Sequence, residues 1–452
     1  MTEPVDLNAE RAKRKHKPKA APREGWESQL LLDQHGRVKG NLSNVMLILT
    51  GHPRWVGVIA FDAFKQSVVT QTPAPTRETE TPVNHAAGEW TDEDSVRTAA
   101  WISQTYGNNV EVKTVDNAVA GIAARTIVHP VRDYLQSLTW DAQKRLPSMF
   151  SVYFGSEQND YTSAIGVRFM VSAVARVFEP GCKVDNVVTW EGGQGIGKSS
   201  AARILAVRSN WYSDTGVTLG DKDSYQCLRG TWIYELAELA SIRSARDVER
   251  YKAFFSSPVD KYRPSYGKRT AGFPRQTVFI GTTNELEYLN DRSGNRRFWP
   301  IRCGRIDLVS LQRDVDLLWA EAVARYESRE VWHVDSIELA ERCKDEQAER
   351  EQVDPWVQFG TEWLSEQYPL IRNGIDDYDR VDPGNGITTA EFLRGAIGMA
   401  KDRIDRAVET RAGQVLRHLG LERRRVRQRG KLSWRYFEVP TSVGTNEEGG
   451  NP

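Results

Sequence analysis

A glycine-rich loop that ends in a lysine and a serine carries the clearest chemistry in this sequence. Residues 192–199, GGQGIGKS, fit the pattern G-x-x-x-x-G-K-[ST]. The apolar stretch Val187 to Trp190 before the loop predicts a buried strand, and a helix is predicted to start near Lys198. Glycines let successive backbone N–H groups curl round a phosphate, and the positive end of the helix faces the same anion. The pattern therefore indicates binding of a nucleoside triphosphate.

Two side chains at the end of this loop have separate expected roles. Lys198 can reach the β- and γ-phosphates of ATP, and the Ser199 hydroxyl can ligate Mg²⁺. The alternative is a glycine-rich strand–helix turn that carries a lysine by chance, and the flanking strand and helix disfavour it. The residues expected to contact the nucleotide are Gly193, Gln194, Gly195, Ile196, Gly197, Lys198, Ser199 and Ser200.

A second element places two acids after an apolar stretch. In the segment from Thr231 to Leu239, apolar residues lead into Glu235, and Glu238 follows one helical turn later. Ligands of parallel sheets bind at the carboxyl ends of the strands, where one acid can hold Mg²⁺ and another can polarise the attacking water. The alternative is a pair of surface glutamates on an amphipathic helix. The position of the segment after the phosphate loop favours catalytic roles, with Glu235 also expected at the metal.

A third strand and a pair of arginines complete the expected catalytic set. The strand predicted from Thr277 ends at Asn284, an amide suited to sensing the γ-phosphate or positioning water, and a simple turn cap is the alternative. Arg296 and Arg297 precede what is predicted to be a last strand. Arginine supplies a fixed charge to a phosphoryl group in transfer, often across a subunit boundary. A structural salt bridge is the alternative for either arginine.

Basic and aromatic residues are mixed between the acidic strand and the Asn284 strand. Residues 252–268, KAFFSSPVDKYRPSYGK, contain proline and glycine and predict a β-hairpin. This mixture suits contact with single-stranded DNA, with charges on phosphates and rings on bases, and a solvated hairpin is the alternative. The residues expected to touch DNA are Lys261, Arg263, Tyr266, Lys268 and Arg269.

Composition limits the class of protein. The 452 residues are 39% hydrophobic and 27% charged, as in ordinary globular proteins. A formal net charge of zero argues against a uniformly basic nucleic-acid coat, so any such surface must be local. The four cysteines form no C-x-x-C pair, which fits neither a disulfide framework nor a zinc site. No apolar run approaches a membrane span and no signal peptide is recognised, so we expect a soluble intracellular protein with no membrane partner.

The pattern along the chain predicts an α/β protein with a P-loop core, a preceding helical layer and a smaller domain at each end. In the first of these small domains, helical patterns are expected over 92–106 and 117–129, and Asp62 after the apolar strand from Val56 is expected to be structural. The expected boundaries are 1–24 for a disordered basic arm, 25–129 for an N-terminal accessory α/β domain, 130–183 for the helical layer, 184–335 for the P-loop core, 336–386 for a helical connector and linker, 387–440 for a winged helix-turn-helix and 441–452 for a disordered tail.

The domain predicted after residue 386 has the pattern of a DNA-binding unit. Thr388 is expected to cap a helix, Arg411 to Leu419 form a second helix, and a basic β-hairpin follows. The second helix would lie in a groove of DNA while arginines contact phosphates. A winged helix that contacts protein is the alternative. The hairpin residues expected at DNA are Arg424, Arg427 and Lys431.

These motifs, taken in order, resemble the virulence-associated protein E family of P-loop ATPases, which is related to the superfamily 3 helicases of phages and mobile elements. The resemblance is strong over residues 130–305 and weak from Trp26 onwards. The matching segments are PVRDYL (130–135), Trp140-Asp141, AVARV (173–177), PGCK (180–183), residues 191–199, 232–239, 252–268 and 281–284, and GNRRFWP (294–300).

The resemblance implies an AAA+-like ring, a homo-hexamer, with ATP and Mg²⁺ bound between subunits. The spacing of the two acids departs from the adjacent acids of many relatives, so the choice of metal ligand between them stays open. No primase domain is recognised ahead of the ATPase. On this analogy the residues with family roles are Glu235 and Glu238 at the acidic strand, Asn284 as sensor, Arg296 or Arg297 at the neighbouring site, and Lys261 or Lys268 on a channel hairpin.

Three functions from different classes remain open on the sequence. The first is an ATP-driven DNA helicase or translocase for replication of a phage or mobile element, in the cytoplasm of a bacterial or phage-infected cell. Its partners would be single-stranded and forked DNA, further copies of the chain and replication proteins. The second is an ATP-controlled replication initiator or loader without processive unwinding. The third is a small-molecule kinase, which would leave the basic hairpin and the paired arginines unexplained.

Overall fold

The chain forms two compact units, Met1–Arg350 and Glu351–Pro452. The predicted basic arm 1–24 and tail 441–452 lie outside the described residues, as does most of the acidic linker before Gly386. A computed structural model describes residues 25–77, 87–216, 222–237, 245–263, 270–285, 287–289, 295–351, 354–365, 386–428 and 431–438.

The first part of unit one is a small α/β layer with its own apolar core. Its three-stranded sheet has the order β2-β1-β3, with β1 and β2 antiparallel and β1 and β3 parallel. Asp62 accepts hydrogen bonds from the backbone N–H groups of Phe64 and Lys65, which fits the structural role expected of it. The elements are α1 (Leu42–Gly51), β1 (Ile59–Asp62), β2 (Ser67–Thr70), α2 (Asp92–Tyr106), α3 (Val112–Ala123) and β3 (Ile127–Val128).

Two boundaries here differ from the sequence prediction. The strand predicted from Val56 starts at Ile59, because the residues before it form turns. The helical pattern predicted to run to His129 ends at Ala123 instead. The β-branched residues that follow pair with β1, Phe61 with Ile127, so the sheet partner overrides the helical spacing.

A helical layer follows and lies against the central sheet. Its longest helix is buried along nearly its whole length. An Asn159–Thr162 capping box starts that helix, and its side chains join the same core as Trp190 and Trp232 from the sheet. The helices are α4 (Pro130–Ser137), α5 (Met149–Phe154) and α6 (Asp160–Phe178).

The central sheet has five parallel strands in the order β10-β4-β9-β6-β5. Its three middle strands consist of buried residues, as expected for a parallel sheet that is covered on both faces. Glu191 at the end of one strand pairs with Thr283 at the end of its neighbour, so their carboxyl ends reach the same edge. The strands are β4 (Val187–Glu191), β5 (Tyr212–Ser213), β6 (Ile233–Leu236), β9 (Val278–Thr283) and β10 (Phe298–Arg302).

The basic hairpin differs from the prediction at its start. Lys252 lies on a helix that continues to Ser256, and the first hairpin strand begins only at Val259. The aromatic residues Phe254 and Phe255 are buried on this helix, and Pro258 follows its end. The remaining elements of unit one are α7 (Lys198–Leu205), α8 (Lys222–Gln226), α9 (Ala245–Ser256), the antiparallel pair β7 (Val259–Tyr262) and β8 (Ala271–Pro274), α10 (Leu308–Glu327) and α11 (Ile337–Ala348).

Unit two is a set of helices followed by a long hairpin. Thr388 and Glu391 form the capping box of the helix predicted there. Ile387 bridges Tyr436, which adds a third strand-like segment beside the hairpin. The helix predicted over 411–419 begins five residues earlier, after the Asp405 cap. The elements are α12 (Pro355–Ser365), α13 (Thr389–Gly395), α14 (Arg406–His418), β11 (Leu421–Gln428) and β12 (Lys431–Glu438).

Among the helices of the described residues, none is both long and apolar enough to cross a membrane.

Candidate nucleotide-binding site

The glycine-rich loop has a backbone that only glycine accommodates at several positions. Gly192, Gly195 and Gly197 have φ of 152°, 81° and 103°, in the region that side chains rarely adopt. A Cβ atom at Gly192 would also lie 2.8 Å from the carbonyl oxygen of Cys303. Helix α7 begins directly after Gly197, as predicted, so its N–H groups face the loop. This is the local geometry that an anion site at a helix N-terminus requires.

The Lys198 ammonium group is held over the loop by three oxygen atoms. Its Nζ donates to the carbonyl oxygens of Gly192 and Gly193 at 2.6 and 3.0 Å, and to Oδ1 of Asn284 at 2.9 Å. Burial lowers the pKa of the lysine. The contact joins two predicted residues that are 86 positions apart in the sequence.

The Glu235 carboxylate lies beside the loop serine. Ser199 and Thr282 both donate to its Oε1 at 2.8 Å, and Tyr212 donates to its Oε2 at 2.5 Å. The bond to Glu235 and burial raise the pKa of the Tyr212 phenol, with burial the larger cause. Ser199 and Glu235, the two residues expected at the metal, therefore lie within hydrogen-bonding distance of each other. Thr282 and Tyr212 were not predicted.

Lys198, Ser199, Glu235, Thr282 and Asn284 line an open cavity of about 390 Å³. It lies at the carboxyl edge of β4, β6 and β9, the location that parallel sheets offer to ligands. All of the predicted nucleotide contacts except Gly193 line it. The complete lining is Gln194, Gly195, Ile196, Gly197, Lys198, Ser199, Ser200, Glu235, Ala237, Thr282, Thr283 and Asn284.

The donor set at this cavity fits magnesium bound to a nucleotide. Magnesium prefers oxygen ligands and usually takes only one or two from protein, with the rest from phosphates and water. The hydroxyl of Ser199 and the carboxylate of Glu235 are such ligands and already lie 2.8 Å apart. Within the part of the chain that is described, no cluster of three or more His, Cys, Asp or Glu side chains could hold a metal without a nucleotide. Glu238 lies outside the described residues.

A buried ion pair holds the strand end that leads into the glycine-rich loop. Glu191, the last residue of β4, accepts hydrogen bonds from Nε of Arg350 at 2.9 Å and from the hydroxyl of Tyr288 at 2.9 Å. The carbonyl oxygen of Arg350 accepts from the backbone N–H groups of Tyr288 and Leu289. Arg350 therefore links the residue before Gly192 to the segment that follows Asn284. No motif in the sequence indicated this pair.

The two predicted arginines lie at the opposite edge of the sheet. They form a short turn before β10, whose first residue Phe298 pairs with Val187, the first residue of β4. The loop follows the other end of β4, so a strand of roughly 16 Å separates them from it. Arg297 donates to the Ser256 hydroxyl at 2.9 and 3.1 Å, and Arg296 is exposed with no hydrogen bond or ion pair to any described residue. Neither arginine lines the cavity of its own chain.

The predicted DNA-contacting residues of the first hairpin are only partly described. Lys261 is exposed on β7, and Arg263 directly follows that strand. Tyr266, Lys268 and Arg269 lie outside the described residues. A buried pair at the base of the hairpin, Arg275 with Asp260, ties the two strands together.

The hairpin of unit two places two of the predicted DNA-contacting residues on opposite faces. Arg424 pairs across the hairpin with Arg435, whereas Arg427 pairs with Leu432, so the two side chains leave opposite faces. Arg424 forms an ion pair with Glu422 at 2.8 Å. Lys431 starts β12, and its side chain lies outside the described residues. On α14, Arg411 is engaged by Asp354 at 2.8 Å and stacks over Trp356 at 3.8 Å.

Comparison with known proteins finds one matching domain and several similar solved structures. No curated protein matches it significantly. It is similar to the solved apo structure of the NrS-1 C-terminal region, with 15% identity and a TM-score of 0.47 over 84% of this chain and 95% of that one. A second structure, the A form of the same region, has 12% identity and a TM-score of 0.45 over 84% and 96%. Residues 135–352 match the model of the virulence-associated protein E-like domain.

Proposed function

We propose that this protein is an ATP-dependent DNA helicase or translocase, which works as a ring in the replication of a phage or mobile genetic element. The observation that carries the proposal is the group formed by Lys198, Ser199, Glu235 and Asn284 at one edge of a parallel sheet. A phosphate clamp, a metal ligand pair and a polar amide are the parts that nucleotide hydrolysis needs.

In this proposal each residue of the group has one task. Lys198 and the N–H groups of the loop hold the β- and γ-phosphates. Ser199 and Glu235 hold Mg²⁺, which neutralises phosphate charge when it is bound. Asn284, fixed to Lys198, orients the attacking water or detects the γ-phosphate, and Glu238 is the proposed group that polarises the water.

The arrangement of the arginines supports a site shared between copies of the chain. Arg296 and Arg297 lie a strand length from the loop of their own chain, which exceeds the reach of one side chain. An arginine that stabilises the transferring phosphoryl group can come from a neighbouring subunit. We therefore assign one of the two to the site of the next copy in a ring, which we propose to be a hexamer.

Two basic surfaces support DNA as the partner. The hairpin β7–β8 carries Lys261, and the hairpin β11–β12 carries Arg424 and Arg427, all of them exposed. Positive charge on projecting hairpins suits contact with the phosphate backbone. The element order of unit two, with α13 and α14 followed by a hairpin that Ile387 extends, supports the winged helix-turn-helix proposal.

The second candidate is an ATP-controlled replication initiator or loader, and one observation favours it. Unit two groups helices and a basic hairpin around their own core, which suits recognition of a duplex. In that case nucleotide binding would control assembly only. Specific duplex binding with no movement along DNA would select this candidate over the helicase.

The test is the rate of ATP hydrolysis with and without single-stranded DNA. We expect DNA to stimulate hydrolysis. We expect Lys198→Ala to lower the rate of hydrolysis at least about a hundredfold, because the lysine stabilises charge on the transferring group. The exposed lysine variant Lys144→Ala is the matched control. Mixing Lys198→Ala chains with Arg297→Ala or Arg296→Ala chains should restore part of the activity if sites are shared. An active enzyme that ignores DNA would contradict the proposal.

A further inference from the structure

The hairpin β11–β12 has two faces of different character. Residues opposite each other in an antiparallel pair share a face, so the register sorts them. One face carries Arg423, Arg425 and Arg427 with Tyr436, Trp434 and Leu432, and the pair Leu421 and Glu438 at the base of the hairpin. We call the part of it near the turn, formed by Arg423, Arg425, Arg427, Leu432 and Trp434, the Trp434 face.

The Trp434 face leaves the core along its length. At the base of the hairpin Tyr436 is 3% exposed and packs against helix α14 at Gly413, where a Cβ atom would lie 2.5 Å from the phenol oxygen. Towards the turn Trp434 is 48% exposed and Leu432 is 52% exposed. Two large, half-exposed apolar side chains next to each other on β12 indicate a surface that binds a ligand or partner.

Charge on the two faces is balanced differently. On the opposite face Arg424 is paired with Glu422 at 2.8 Å, and Arg435 with Glu391 at 3.2 Å. On the Trp434 face no arginine has a carboxylate partner among the residues that are described. Instead, the guanidinium of Arg423 lies 4.3 Å from the Trp434 ring centroid, and that of Arg425 lies 5.8 Å from it. Two guanidinium groups with no carboxylate partner among the described residues thus lie beside the half-exposed indole, and Arg427 lies further along the same face.

This combination selects one class of ligand. Uncompensated guanidinium groups attract a polyanion, and an exposed indole beside them offers a ring on which a flat group can stack. In a duplex the bases are stacked on one another inside the helix, so such a ring can take only a base that is unpaired. Phosphates and accessible bases occur together in single-stranded nucleic acid.

We propose that the Trp434 face binds an unpaired nucleotide of a DNA strand, with the base on Trp434 and the adjoining phosphates on Arg425 and Arg427. The proposal deepens the DNA-binding role given to unit two and rests on that role. It differs from groove reading by α14, because it assigns the strand at a fork or single-stranded region to the hairpin. It requires neither ATP nor hydrolysis.

The test uses the full-length chain and a fluorescent oligothymidylate in an equilibrium binding titration. Trp434→Ala should weaken binding at least about fivefold, since stacking on one aromatic ring contributes that much or more, and Trp434→Phe should retain most of the affinity. Arg425→Ala should weaken binding more than Arg424→Ala, a neighbour of equal charge on the other face. Duplex of the same length should be affected less by Trp434→Ala. The thermal midpoint of each variant establishes that it is folded.

A photocrosslink locates the contact directly. An oligonucleotide with 5-iodouracil should crosslink to Trp434 and give a modified peptide from β12. Crosslinks confined to other residues, equal affinity of Trp434→Ala and the unchanged protein, or competition by oligoglutamate as strong as by oligothymidylate would each overturn the proposal. The last result would assign the face to an acidic peptide.

The two proposals can fail separately. All binding measurements are repeated with Lys198→Ala, in which hydrolysis is removed. Binding that depends on Trp434 in a protein without DNA-stimulated hydrolysis would leave this inference standing and remove the motor. Stimulated hydrolysis with no effect of Trp434→Ala would do the reverse.

Discussion

Lys198 Nζ donates a hydrogen bond to Asn284 Oδ1 across 2.9 Å, which joins the glycine-rich loop to the end of the neighbouring strand. Strand β9 lies between β4 and β6, so Asn284 directly follows the strand between the one that leads into the loop and the one that carries Glu235. A change at the γ-phosphate that moves the Lys198 ammonium group would therefore alter its hydrogen bond to Asn284.

The first prediction concerns this amide. Asn284→Ala should lower kcat for ATP hydrolysis by about tenfold to a hundredfold and change the nucleotide KM much less, because loop glycines and Lys198 still hold the phosphates. Steady-state hydrolysis gives both constants. Asn284→Asp is the companion variant, since it keeps the shape and adds a charge beside Lys198. A large rise in KM with unchanged kcat would mean that Asn284 contributes to nucleotide binding and not to hydrolysis, which would contradict the prediction.

Tyr212 is predicted to be a positioning residue for Glu235. Tyr212→Phe removes the donor to Oε2 and should lower kcat roughly tenfold and raise the Mg²⁺ concentration for half-maximal activity, because a hydrogen bond to a charged group is worth about 1.5–3 kcal/mol. A magnesium titration at saturating ATP measures the change. Tyr326→Phe is the control, as its phenol makes a 2.6 Å bond to Glu179 away from the cavity. Equal effects of both variants would reduce the role of Tyr212 to general stability.

The local chemistry of the site could be predicted from sequence, but its supports could not. The loop lysine, Glu235 and Asn284 each end a buried strand or start a helix, and these patterns are local. The Glu191–Arg350 bond joins residues 159 positions apart, and no motif links the two. Tyr212 lies on a strand of two residues, too short for a periodic signal. The predicted hairpin start at Lys252 was wrong, because the aromatic residues behind it are spaced for a helix that packs on the sheet.

Loss of the Arg350–Glu191 pair should destabilise unit one strongly. Arg350 and Glu191 are both buried, at 8% and 1% side-chain exposure, so Arg350→Ala strands an unpaired buried charge at a cost of about 3–5 kcal/mol. Urea denaturation measures the free energy of unfolding. Arg342→Ala breaks an exposed pair with Asp160 and should cost less than about 1 kcal/mol. Comparable losses for the two arginines would show that burial of the pair does not matter.

Acid should selectively weaken the N-terminal part through Asp94. Burial raises the pKa of this carboxyl, but hydrogen bonds from Arg77 and Thr91 outweigh it and the net pKa is lowered below 3.8. The unfolded chain therefore binds the proton first as pH falls. The stabilisation is complete above pH 3.8 and is lost as pH falls through the lowered folded value.

The measurement for Asp94 is the free energy of unfolding as a function of pH. Asp94→Asn should lower stability near neutral pH and flatten its acid dependence in that window. Asp92→Asn, on the exposed first turn of the same helix, serves as control. An unchanged acid dependence in Asp94→Asn would place the titration at another carboxyl.

Separation of a forked DNA duplex in the presence of ATP and Mg²⁺ tests the central claim most directly. The account predicts strand separation by the unchanged protein. It predicts no strand separation by Glu235→Gln. This variant keeps the shape of the side chain and the loop that binds nucleotide, but it replaces the proposed carboxylate ligand of Mg²⁺ with a weaker amide ligand. Strand separation that persists in Glu235→Gln, or an enzyme that hydrolyses ATP on DNA without separating the fork, would contradict it.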